Sequence, residues 1–240
     1  MNSLWYLENG MSQNDCIGID ELGRGPLAGP VVAAAVWISE EGIALIEKNE
    51  IKVRDSKKLS HKQRKKILDW IDKQPEEILK YSIASASVEE IDSLNILQAT
   101  FLAMKKAYSS LNLTKPFVLI DGNKAPELEN TQVKTIVKGD DSVISIALAS
   151  IVAKEYRDNI MKELGKKYPQ YGWSTNVGYG SQQHIYAILQ YGATPHHRKT
   201  FAPVKDLDTA NKEISKLITP VIDNPKKNVA TDTEKETTSG

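Results

Sequence analysis

Gly18-Ile19-Asp20-Glu21-Leu22-Gly23-Arg24-Gly25-Pro26 follows the apolar pair Cys16-Ile17, so two adjacent acids close an apolar run and lead straight into a glycine-rich turn. The run reads as a short strand over residues 15–20. Neighbouring side chains on a strand point to opposite faces, so Asp20 and Glu21 converge on one point only if the strand ends there. A half-buried acid needs a partner, and a hard cation with oxygen ligands is one. Solvated acids at the start of a turn are the plainer reading of these residues taken alone.

Working outward, residues 31–38 form a second apolar run, and 78–86, 117–121 and 133–137 also read as strands. Phe117-Val118-Leu119-Ile120 leads to Asp121-Gly122, and Val133-Lys134-Thr135-Ile136-Val137 leads through Lys138-Gly139 to Asp140. Asp-Gly is a common turn pair and each instance alone is weak. Three apolar strands ending in acids carry more, because strand ends on one sheet edge can gather their side chains. Carboxylates so gathered repel and raise one another's pKa unless cations neutralise them. Two divalent ions roughly 4 Å apart, bridging the attacking and leaving oxygens of a phosphodiester, suit such a cluster. Mg²⁺ prefers a few carboxylates, retained waters and substrate phosphate oxygens.

The helices announce themselves through caps. Ser60 with Gln63 makes a capping box before a helix over 62–73, stopped by Pro75, and Ser87 with Glu90 makes another. Asn95 caps 96–111, where Leu97, Phe101, Met104, Tyr108 and Leu111 recur at helical spacing. Ser142 is expected to open a long helix to 164, and Ser181 to cap one to 191. Strands mixed with helices predict an α/β domain with a mixed central sheet flanked by helices. One such domain is expected over 14–205. A loose leader over 1–13, a helical extension over 206–222 and a disordered tail over 223–240 complete the division, the last because it cannot bury enough apolar surface to offset its ordering entropy.

The composition bounds the rest. The 240 residues carry 31 Lys+Arg against 31 Asp+Glu, with 40% hydrophobic and 26% charged residues, which excludes collagen-like, disulfide-stapled and wholly disordered chains. Zero net charge is no argument against a nucleic-acid partner. It averages a basic strip over 52–66 with an acidic cluster and a mildly acidic tail. The single cysteine, Cys16, reads as a small buried residue and Trp37 as core. Residues 1–13 lack a basic segment ahead of an apolar one, so no signal peptide is expected, and no run is long enough to span a bilayer. A cytoplasmic protein without membrane association is the expectation.

The motifs together resemble ribonuclease HII, the bacterial type 2 ribonuclease H. The resemblance rests on the opening stretch from Gly18 through Val32, on Asp55-Ser56-Lys57-Lys58-Leu59, on Ile120-Asp121-Gly122-Asn123 and on Lys138-Gly139-Asp140. It continues through Ile146-Ala147-Leu148-Ala149-Ser150-Ile151-Val152-Ala153-Lys154, Arg157-Asp158, Gly178-Tyr179-Gly180, His184 and the run from His197 to Val204. It implies an RNase H-like fold with a short helical C-terminal region. The implied activity is endonucleolytic cleavage of the RNA strand of RNA–DNA hybrids, and cleavage 5′ of ribonucleotides embedded in duplex DNA, as in ribonucleotide excision repair. Products would carry a 3′-hydroxyl and a 5′-phosphate.

The resemblance also implies that Asp20, Glu21, Asp121 and Asp140 are catalytic and hold two divalent ions, Mg²⁺ or Mn²⁺. It places substrate binding on Gly23, Arg24 and Gly25, with Tyr179 sensing the substrate. Lys57 and Lys58 are expected to contact phosphate, as is Arg198 beside Lys199. Asp141 directly follows Asp140 and is the alternative fourth ligand, because the segment after Asp121 is slightly lengthened. His184, His196 and His197 lack metal-ligand spacing and read as structural or phosphate-contacting. A monomer acting on nucleic acid is expected. Two other readings compete: a non-catalytic hybrid-binding module, which should lack one of the acids, and a ribonuclease HIII-like enzyme, for whose N-terminal domain Asp20 lies too near the chain start.

Overall fold

The computed structural model describes residues 12–207. Most of the expected leader and helical extension, and all of the expected tail, therefore lie outside the described residues.

Five strands form one mixed sheet: β1 (Cys16–Leu22), β2 (Val31–Ile38), β3 (Leu79–Ala86), β4 (Phe117–Asp121) and β5 (Gln132–Ile136). Their order is β3-β2-β1-β4-β5. The β1/β2 and β2/β3 pairs are antiparallel, whereas β1/β4 and β4/β5 are parallel. The C-terminal ends of β1, β4 and β5 therefore reach the same edge, which is where all three acidic segments lie.

Helices cover both faces. They are α1 (Glu40–Lys48), α2 (His61–Ile71), α3 (Val88–Leu94), α4 (Ile96–Leu111), α5 (Ile144–Lys167), α6 (Trp173–Asn176) and α7 (Gln182–Tyr191). On one face Ile17, Ile19, Ala33 and Ala35 pack with Ala99, Ala103, Met104 and Ala107 of α4. On the other, Val32, Ala34, Val36 and Ile38 pack with α5 and α2. With both faces covered, β2 is buried along its whole length, as its unbroken apolar run requires. Gly18 sets the distance of α5. A Cβ there would stand 2.3 Å from the Ser145 carbonyl carbon and 2.4 Å from Ile146 N, so only glycine allows the helix to cross β1 this closely.

The caps on α2, α3, α4 and α7 fall on Ser60, Ser87, Asn95 and Ser181, the first two as full capping boxes. Three elements differ from the sequence reading. The long helix begins at Ile144 without a side-chain cap, because Ser142 instead closes a 3₁₀ turn over Gly139–Asp141 and donates to Lys138 O at 3.2 Å. Helix α1, capped by Ser39 on Gly42 N, was not anticipated. Strand β1 does not stop at Asp20, since Asp20, Glu21 and Leu22 continue the ladder opposite Ala34, Ala33 and Val32. Cys16 is buried, its thiol pushed up to about 11 by burial, and Trp37 is core. No helix among the described residues is long and apolar enough to cross a membrane.

Candidate active site

Because β1 runs past Asp20, Asp20 and Glu21 stay on opposite faces of the sheet. Asp20 faces α5: its Oδ1 accepts the Glu21 N–H at 2.7 Å and its carboxylate takes a hydrogen bond from Ser150. Glu21 faces α4, where it lines a small cleft with Arg24, Thr100, Asp121, Asn123 and Lys124. The ladder between β1 and β4 ends at Ile19 opposite Ile120, one residue short of the acids. That opening lets carboxylates from both faces meet at the sheet edge. Convergence comes from the end of pairing with one neighbour, not from the end of the strand.

Asp121 is the centre of the group. Its Oδ1 accepts the Gly139 N–H at 2.7 Å, which draws the 3₁₀ turn and Asp140 to the strand end. Burial, followed by repulsion from Glu21 and Asp121, pushes the Asp20 carboxyl well above the ordinary aspartate range. Burial also raises Glu21, partly offset by Arg24, whose Nη1 lies 3.3 Å from Glu21 Oε1. Asp140 is pushed up to about 6 by burial and then by Asp121. Such shifts mark carboxylates crowded without a counter-charge.

The donor set fits hard divalent cations. All four side chains offer oxygen, and Glu21 Oε2 is buried with no hydrogen-bond partner, a position that has a cost unless something positive meets it. Among the described residues no three acidic, His or Cys side chains close around a single point. An open site is what Mg²⁺ favours, since it keeps waters and takes substrate phosphates as ligands.

The Gly23-Arg24-Gly25 turn begins directly after β1, with Gly23 at φ +95°. A Cβ on Gly23 would stand 2.2 Å from Arg157 Nε, so the buried arginine and the glycine require each other. Arg24 and Gly25 are exposed, and the half-exposed Tyr179 ring lies against Gly25, 3.5 Å from where its Cβ would be. The turn, Tyr179 and the carboxylates thus share one face of the molecule.

The profile described as Ribonuclease HII matches residues 17–204. The chain belongs to the ribonuclease HII family. It is 50% identical over 201 residues to the Ribonuclease HII of Wolbachia pipientis subsp. Culex pipiens (strain wPip), covering 84% of this chain and 96% of that protein. The Ribonuclease HII of Sphingopyxis alaskensis is 48% identical over 191 residues, covering 80% and 90%. Among solved structures, ribonuclease H2 from Pyrococcus horikoshii OT3 superposes with a TM-score of 0.68 at 26% identity, covering 82% of this chain and 99% of that one. Bst-RNase HIII in complex with Mn²⁺ shares the fold at a TM-score of 0.65 and 20% identity, covering 85% and 72%. The mixed sheet and its helices are therefore an RNase H fold, and the chain is a ribonuclease H-type endonuclease.

Within this ribonuclease HII scaffold the remaining expected site residues separate. Lys57 is exposed and close enough to lower the Asp140 pKa, but Lys58 is paired with Asp141 through a 2.6 Å contact. Asp140 and Asp141 therefore divide: Asp140 joins the buried cluster and Asp141 turns to Lys58. Arg64, counted in the basic strip, is buried against Glu155 at 2.6 Å and holds α2 to α5. Arg198 is a correction. It is wholly buried and donates only to the backbone carbonyls of Gly23, Arg24 and Gly29, so it cannot reach a phosphate.

His184 and His197 are also buried, packed with Tyr171 and Trp173, and make no approach to the acids. Trp173 Nε1 donates to His184 Nε2 at 2.9 Å, which fixes His184 as a donor from Nδ1 to Tyr179 O at 2.9 Å. Sequence reasoning missed Ser150 and Arg157 as supports. A serine on an otherwise apolar helix face was the available signal for the first, and no signal pointed to the second.

Proposed function

We propose that this chain hydrolyses the RNA strand of RNA–DNA hybrids and cuts 5′ of single ribonucleotides in duplex DNA, leaving a 3′-hydroxyl and a 5′-phosphate. Asp20, Glu21, Asp121 and Asp140 would hold two divalent ions, Mg²⁺ or Mn²⁺. When bound, such ions supply a nucleophilic hydroxide and neutralise charge on the oxygens of the cleaved phosphodiester. The observation that carries this reading is the orphaned Glu21 Oε2 amid carboxylates raised by one another, directly beside the Gly23-Arg24-Gly25 turn.

The chain's own groups then divide the work of recognition. Asp121 holds the Gly139 turn, and through it Asp140, against the strand end. Arg24, half of its side chain exposed, offers a guanidinium to a phosphate. The exposed backbone of the turn comes close to a sugar because Gly23 and Gly25 lack Cβ atoms. Tyr179 presents a ring to the sugar or base and a hydroxyl to the 2′ position, the group that separates RNA from DNA. Lys57 adds salt-dependent affinity for the backbone, and Lys58 does so after leaving Asp141. A monomer suffices for this scheme.

The test is incubation with a duplex holding one ribonucleotide, in Mg²⁺ or Mn²⁺ and then in EDTA. Cleavage 5′ of the ribonucleotide that EDTA abolishes is expected, and Asp20→Asn should bind the duplex without cutting it. Undiminished cleavage by Asp20→Asn would overturn the mechanism.

A further inference from the structure

Arg157 and Arg198 are both buried to about 1% exposure or less, and neither meets a carboxylate within ion-pair distance among the described residues. A buried guanidinium without a counter-ion costs several kcal/mol unless its hydrogens are all used. Here backbone carbonyls use them. Arg157 donates to Pro30 O at 3.0 Å, Val177 O at 2.9 Å and Ala28 O at 3.1 Å. Arg198 donates to Gly29 O at 3.0 and 2.9 Å, to Arg24 O at 2.9 Å and to Gly23 O, with its guanidinium 5.0 Å over the Phe201 ring.

The choice of carbonyls has a consequence. In a trans peptide the C=O and N–H point in opposite directions. Arg198 draws the Gly23 and Arg24 carbonyls inward, so the N–H groups of the same two peptide units, those of Arg24 and Gly25, face away from it. Arg24 and Gly25 are exposed, and neither N–H has a hydrogen-bond partner among the described residues. Without Arg198 these peptides could rotate, and solvent would satisfy either orientation.

We infer that Arg198 is a positioning residue for ribonucleotide recognition: by holding the Gly23 and Arg24 carbonyls inward, it presents the Arg24 and Gly25 N–H groups as paired donors to the 2′-hydroxyl oxygen and adjoining phosphate. The inference rests on the proposed activity and adds the origin of its sugar selectivity. It also explains why a basic residue in a motif beside the site is sealed from solvent.

The experiment compares wild type with Arg198→Lys, each well below its own melting midpoint, on a duplex with one ribonucleotide and on the all-DNA duplex. Lysine keeps the charge but cannot hold both carbonyls. The expected result is a loss of at least about tenfold in kcat/KM on the ribonucleotide duplex, with binding to all-DNA duplex within about twofold. Unchanged kcat/KM per folded molecule would show Arg198 to be merely structural and overturn the inference. Should Arg198→Lys fail to fold, amide exchange on the wild-type chain decides. Arg24 and Gly25 amides should be protected by a ribonucleotide duplex with Ca²⁺ in place of Mg²⁺, and less by all-DNA duplex. Equal protection overturns the inference. Wild-type protein that cleaves no ribonucleotide duplex in any divalent metal would instead overturn the proposed activity itself.

Discussion

Ser56 Oγ and Ser150 Oγ stand 2.9 Å apart in the interior, and Ser150 also hydrogen-bonds the Asp20 carboxylate. A carboxylate only accepts, so Ser150 donates to Asp20 and Ser56 donates to Ser150. The pair links three separate segments: the Asp55-Ser56-Lys57-Lys58 turn, the middle of α5 and the acidic end of β1.

Replacing Ser150 breaks that chain at its centre. Ser150→Ala should cost about 1–2 kcal/mol of stability, since it strands the Ser56 hydroxyl as well as freeing Asp20. It should also lower cleavage about tenfold, as loss of an outer support for a ligating group does. Urea denaturation and single-turnover cleavage read the two effects. In a double-mutant cycle with Ser56→Ala the stability losses should be less than additive. Strict additivity would show the hydroxyls to be independent.

Asp140 and Asp141 are adjacent in sequence and opposite in environment. Asp140 sits among the buried acids with its pKa at about 6, while Asp141 pairs with Lys58 at the surface. Asp140→Asn should reduce cleavage more than about a hundredfold, and Asp141→Asn should stay within about threefold of wild type. The second change also releases Lys58, so its effect should fall on KM and grow at high salt. Equal losses in the two variants would reverse the assignment.

Most of the frame was legible in the sequence because its signals are local. Ser60 with Gln63 and Ser87 with Glu90 announce helix starts within four residues, and those caps are where expected. The acids at the ends of three apolar strands likewise report their own segments. The order of strands is not local, and neither is the depth of a side chain. Arg198 sits in a motif beside Lys199 and reads as a phosphate contact, yet the bridge between Ala28 and His197 places it beneath the turn. The same holds for Arg64, which its sequence neighbours disguise as one more surface cation.

The Arg64–Glu155 contact of 2.6 Å is buried on both sides, with side-chain exposures of 9% and 3%. Arg64 further donates to Leu59 O at 2.7 Å and Ser56 O at 3.2 Å, so it ties α2, α5 and the lysine turn together. Arg64→Met should cost about 3–4 kcal/mol, because it leaves Glu155 buried with only the exposed His61 beside it. Arg64→Met combined with Glu155→Leu should recover much of that loss, since a packed apolar pair has no charge to desolvate. Denaturant midpoints at neutral pH measure both. A single variant as stable as wild type would mean the pair contributes nothing.

His197 gives the fold a pH dependence whose sign can be worked out. Burial, reinforced by His184 and His196, pushes it down to about 4, and burial lowers His184 as well. An unfolded histidine titrates near 6.5. Between those values the unfolded chain binds a proton that the folded chain refuses, so stability is lost as pH falls from about 6.5 and levels off near 4. For His197 the whole effect is on the order of 3 kcal/mol. The raised carboxyls of Asp20 and Asp140 act in the opposite sense, because a folded carboxyl that holds its proton is favoured in acid. The histidine contribution is therefore isolated by difference. His197→Gln keeps an N–H for His184 Nε2, 3.1 Å away, and does not titrate. It should be less stable than wild type at pH 7.5, with the gap closing or reversing by pH 4.5 in urea melts without divalent metal. Parallel curves for the two proteins would show that the buried histidines do not govern acid stability.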